Sequence, residues 1–138
     1  MKKIVVGTDG SDNSVAALRW AMAEGKAHGA TTDVVHCWEF PPIIDPLGIP
    51  MMPSVEEMNN SAERLLKEVI RKVDVSGVSV TTRVMRGSPA SVLCAAAKNA
   101  DMLVIGRRGH GGFMGLLLGS IAQQVMHHAP CPVVVVPA

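Results

Sequence analysis

At 138 residues, 48 % apolar and 18 % charged, the chain has the make-up of one compact domain, able to bury roughly two-thirds of its unfolded surface. Disorder is excluded by that apolar share, and with only 3 % aromatic residues the core must be built from Val, Leu, Ile, Met and Ala. A formal net charge of +1 supplies no global field to gather nucleic acid or acidic lipid, so neither is an expected partner and any anion must be bound locally.

The first predicted strand, Lys3 to Gly7, lies in "MKKIVVGTDGSD", whose apolar run is too short for the h-region of a signal peptide. Ser11 or Asp12 can cap the helix that follows, with Val15, Leu18 and Met22 on one face. A second strand, Thr32 to Trp38, leads into "EFPPIIDPLGIPMMP", Glu39 to Pro53, whose five prolines predict no regular structure. As a loop leaving the C-terminal end of a strand, it is either a cover for a bound ring or a plain connector packed over the core.

"SVEE" opens the second helix, Ser54 and Glu57 having capping-box spacing, with Val55, Met58, Ala62, Leu65, Leu66, Val69 and Val73 as its core stripe up to Gly77. A strand from Val78 to Met85 precedes "GSPA", where Ser88 caps a third helix and Pro89 takes its first position. The fourth strand, Met102 to Gly106, is followed by a glycine-rich turn and a helix from Ser120 to His128 that stops before Pro130. Pro132 to Val136 forms the last strand. Strands alternating with helices, several of them apolar on both faces, predict a doubly wound α/β domain with five parallel strands and helices on both sides.

"VIGRRGHGGFMGLLLGS", Val104 to Ser120, holds six of the chain's thirteen glycines between a strand and a helix. A helix N-terminus offers unpaired N–H groups and partial positive charge, and glycine removes the side chain that would keep a phosphate away. The turn therefore reads as a phosphate cradle. It is no P-loop, because Ser120 lacks a preceding lysine, and no dinucleotide turn, because Met114 stands where Gly109-x-Gly111 requires the third glycine. The spacing present is Gly106-x2-Gly109-x9-Gly119-Ser120.

Other chemistries find little support. Cys37, Cys94 and Cys131 are odd in number and far apart, so reduced, buried thiols are expected rather than disulfides or zinc ligands. The five histidines make no i, i+4 metal pair, and His127 and His128 fall in a last helical turn, where the dipole favours them. Asp12 suits the first turn of a helix, whereas Asp9 at a strand's C-terminal end is a ligand candidate. No Gly-x-Ser-x-Gly elbow occurs, and Met58 and Met126 read as core filler. No apolar run of membrane-spanning length exists, and a cytoplasmic chain is expected.

The spaced glycines, together with "VVGTDGSDNS", "GSPA" and "APCPVVVVP", resemble the universal stress protein family, in particular its ATP-binding branch, over the whole chain 1–138. The resemblance implies sheet order 3-2-1-4-5, with ATP, and magnesium on its phosphates, across the crevice between strands one and four. It assigns Asp9 to the ribose or adenine, Thr8 to the same wall and the Val35 backbone to the adenine edge. Gly106 and Gly109 would admit the phosphates, and Gly119 with Ser120 would hold them. Arg107, Arg108 and His110 are candidates to pair with the triphosphate, the alternative being that an arginine points to solvent. It further implies a homodimer through the last strand, Pro132 to Val136, whose edge is open.

The expected function is an ATP-binding module with a stress-response or regulatory role and slow or no hydrolysis, because no carboxylate lies between Gly106 and Ala138 to act as base. Two rivals remain. One is a small adenylating enzyme of the pyrophosphate-loop type, against which Thr8 and Asp9 place a carboxylate where that loop approaches phosphate; the other is a dimeric scaffold without nucleotide.

Overall fold

The structure, a computed structural model, describes residues 1–40, 43–44, 46–48, 50–51, 53–108 and 118–137. Its elements are β1 (Lys3–Thr8), α1 (Asp12–His28), β2 (Thr31–Trp38), β3 (Ile43–Ile44), β4 (Pro50–Met51), α2 (Val55–Ile70), β5 (Ser79–Arg86), α3 (Pro89–Ala96), β6 (Met102–Gly106), α4 (Ser120–His128) and β7 (Val133–Val136). Five strands form one parallel sheet in the order β5-β2-β1-β6-β7. Counting only these five, the order is 3-2-1-4-5, and it reverses between β1 and β6.

Alternation of side chains across the strands builds two cores. Ile4, Val6, Val34 and Val104 join α1 and α2 on one face, while Val5, Val35, Leu103 and Ile105 join α3 and α4 on the other. The central strands are apolar at successive positions because both faces are covered. The two N-terminal strand ends are tied as well: the Asp101 carboxylate accepts the backbone N–H groups of Lys2 and Lys3 at 2.7 and 2.9 Å.

Several expectations need correction. The stretch Glu39 to Pro53 was expected to lack regular structure, yet Ile43–Ile44 pairs antiparallel with Pro50–Met51; proline is tolerated there because a two-residue ribbon is all edge. Val55 does not join the α2 stripe: it is the first helical residue, its side chain leans toward the N-terminus beyond the core, and it is 44 % exposed. Met126 is 52 % exposed, because α4 turns Ala122 and Val125 inward and leaves the next position outside. Elsewhere the boundaries lie within a residue of those read for the five strands, and Ser11 accepts the Ser14 N–H as the α1 cap.

The cysteines are free and half-buried rather than fully buried. Burial, with the charge of Glu39 adding to it, pushes the Cys37 thiol up to about 11, so it stays protonated and is no nucleophile at neutral pH. No helix among the described residues is long and apolar enough to cross a membrane.

Candidate functional site

The chain leaves β1 through a turn that its own side chains hold. Gly10 has φ 84°, a left-handed conformation that glycine adopts without steric cost. The buried Thr8 Oγ1 accepts the Gly10 N–H at 3.2 Å and lies 2.9 Å from Ser14 Oγ. Ser14 Oγ donates its single proton to the Ser11 carbonyl at 2.9 Å, so it is Thr8 that donates across the Thr8–Ser14 pair. Asp9 Oδ1 accepts the Ser11 N–H at 2.9 Å, which orients the carboxylate over the start of α1.

Beside this turn ends β6. Val6 pairs with Val104, so Thr8 and Gly106 stand two residues further on at the same edge of the sheet. The Arg107 N–H continues the ladder to the Val136 carbonyl at 3.0 Å, while the Arg107 carbonyl accepts the Gly119 N–H at 2.9 Å. This second bond brings the far end of the glycine-rich loop back to the strand that launched it. Gly119 then serves as N-cap of α4 without a side-chain cap bond, whereas α1 and α2 are closed by Ser11 and Ser54. Among the described residues no side chain caps the first amides of α4, which are donors that an anion can take.

Two buried polar atoms near the reversal find no hydrogen-bond partner among the described residues, Asn13 Oδ1 in the first turn of α1 and Arg107 Nε after β6. An orphaned acceptor and an orphaned donor are costly unless a ligand or water completes them, each by about 1–3 kcal/mol. Among the described residues, no three His, Cys, Asp or Glu side chains converge as a cation cage.

Of the residues singled out from the sequence, Thr8, Asp9, Gly106 and Arg107 meet at the ends of β1 and β6, and Gly119 and Ser120 join them through the Arg107 carbonyl. Arg108 follows directly and is half-buried. Gly109 and His110 lie outside the described residues. Val35 is deeper: it pairs with Gly7 and Arg83 inside the sheet, and its side chain is fully buried in the α3 and α4 core. Its backbone runs in the ladder between β1 and β5.

Three residues at the site are not singled out by the sequence. Ser14 and Asn13 look like ordinary first-turn residues, and nothing local separates them from caps. His36 carried a signal, being a polar residue inside the apolar run "VVHCW"; it is buried and its Nδ1 lies 2.8 Å from the Thr8 carbonyl. At the end of β2, Phe40 meets Trp38 edge-on at 5.2 Å, and the Arg86 guanidinium sits 4.4 Å from the Phe40 ring centre. The entry to the proline-rich stretch is thereby anchored to β5.

Comparison with known proteins adds to this geometry. A profile described as the Universal stress protein family matches residues 1–137. A universal stress protein of Thermus aquaticus is 38 % identical over 138 residues, covering 98 % of each chain. Some relatives are longer, and the chain covers 47 % of one from Mycolicibacterium smegmatis. Among solved structures, UspA from Lactobacillus plantarum superposes with TM-score 0.77 at 24 % identity over 98 % of this chain and 97 % of that one. A universal stress protein solved in complex with cAMP gives 0.64 at 27 % identity, covering 98 % and 95 %.

Proposed function

The chain belongs to the universal stress protein family, and on that premise we propose that it is an ATP-binding regulatory module in which residues 1–138 act as one nucleotide-binding unit. The observation that carries this reading is the uncapped start of α4, pinned by the Gly119–Arg107 bond to the point where the sheet order reverses. Ligands of doubly wound sheets bind at such reversals, and phosphates favour helix N-termini. The cAMP complex of a related protein supports an adenine nucleotide as the ligand class.

In this reading the Asp9 carboxylate accepts a ribose hydroxyl or faces the adenine, with Thr8 on the same wall and the Val35 backbone toward the ring edge. The amides of Gly119 and Ser120, with Gly109, hold the phosphates, and Arg107, Arg108 and His110 supply charge. Gly106 admits the phosphates beside Gly109, and its bare Cα also accommodates the first turn of α1, since an added Cβ would stand 2.9 Å from the Asn13 backbone. Magnesium would be carried by the phosphates.

Hydrolysis is slow in this account, because the strand ends offer donors for charge but no carboxylate base after Gly106. The output is then the liganded conformation. We further place the module in the cytoplasm, as a dimer paired edge to edge through β7. Titration of the purified chain with ATP, AMP and cyclic AMP, with and without magnesium, tests the ligand assignment: failure of all three to bind would overturn it.

A further inference from the structure

We propose that His36 is a positioning residue for the nucleotide site, acting on Asp9 through the Thr8 carbonyl; the inference rests on the nucleotide reading above. His36 stands beside Thr8 in register, is buried, and places Nδ1 2.8 Å from the Thr8 carbonyl oxygen. A carbonyl oxygen only accepts, so Nδ1 carries a proton whatever the charge on the ring.

That carbonyl is half of the peptide joining Thr8 to Asp9. The peptide is planar, so holding its oxygen fixes the direction of the Asp9 N–H and the placement of the Asp9 Cα, from which the bond to the Ser11 N–H then sets the side chain. On the far side of the turn, Thr8 Oγ1 holds the Gly10 N–H and Asp9 Oδ1 holds the Ser11 N–H. Asp9 therefore enters the site from a peptide anchored by β2 and a turn anchored by α1. A histidine that merely filled space would need no donor at Nδ1, and an apolar residue of similar size would serve in its place.

The test compares the chain with His36→Asn, whose amide nitrogen can stand where Nδ1 stood, with His36→Leu, which cannot donate, and with Asp9→Ala as the reference for the site. Two quantities are measured: hydrogen exchange of the Gly10 and Ser11 amides in the nucleotide-free proteins, and ATP affinity by calorimetry. His36→Leu is expected to speed exchange at both amides and weaken ATP by about tenfold, as loss of one positioned hydrogen bond does. His36→Asn should restore both to near the parent values.

Equal behaviour of the Asn and Leu variants, or parent-like affinity in His36→Leu while Asp9→Ala is weakened, overturns the role of His36 and leaves the nucleotide reading standing. Parent-like affinity in Asp9→Ala overturns the site itself and the inference with it. Should His36→Leu not fold, nitrogen-detected NMR of the parent chain decides: a proton on Nδ1 supports the inference, and a bare Nδ1 overturns it.

Discussion

A Cβ built on Gly106 would lie 2.9 Å from both the carbonyl carbon and the carbonyl oxygen of Asn13, so the end of β6 and the first turn of α1 touch backbone to side chain position with no room for a methyl group. Backbone cannot rotate out of the way as a side chain tip can. Gly106→Ala is expected to lower stability by about 1–3 kcal/mol, the range of overpacking in a tight contact. Urea unfolding measures it; an unchanged midpoint would show that α1 shifts freely.

The same contact shows what a single sequence reveals. Its strands were legible because β1, β2 and β6 are apolar on both faces, and α4 because Ser120 follows glycine and Pro130 halts the helix. Asp9 was legible as a residue at a strand's C-terminal end, and Thr8 through the family resemblance. The tight fit of Gly106 against α1 was not legible, since a glycine facing a helix and one facing a phosphate leave the same letter. His36 escaped because its bond to Thr8 depends on the register of β1 against β2, a long-range relation that no local pattern encodes. Val55 and Met126 misled because helical periodicity marks a face, not the depth at which the core ends.

Acid should loosen the join between β6 and the chain start. The backbone N–H groups of Lys2 and Lys3 beside Asp101 hold its carboxyl below the usual carboxylate range. A folded-state value below the unfolded one means the contribution is present above the unfolded value and lost as pH falls through the lowered one. Unfolding measured from neutral pH downward should separate the parent chain from Asp101→Asn near neutrality and bring the two together in strong acid. A separation that widens with acid would contradict the assignment.

Dimer formation is expected to depend on the outward amides of β7. The Pro132 and Val136 carbonyls accept from β6, so the even-numbered residues face that strand, and Val133 and Val135 turn their N–H groups to the open edge. Val135→Pro removes one outward donor and leaves the β6 ladder in place. Sedimentation should then give monomers; an unaltered dimer would locate the interface elsewhere.

ATP turnover should fall far below about 1 per second, the low end of ordinary enzymes. Single-turnover assays with labelled ATP are expected to recover it intact after hours. Turnover at enzymatic rates would favour the adenylating or hydrolytic alternative.

Binding of nucleotide at the ends of β1 and β6 is tested most directly by calorimetric titration of ATP into the parent chain and Asp9→Ala side by side. Loss of a charge-assisted hydrogen bond of about 1.5–3 kcal/mol predicts affinity about ten- to a hundredfold weaker in Asp9→Ala. Equal affinity in the two proteins, or no heat of binding in the parent chain, would contradict it.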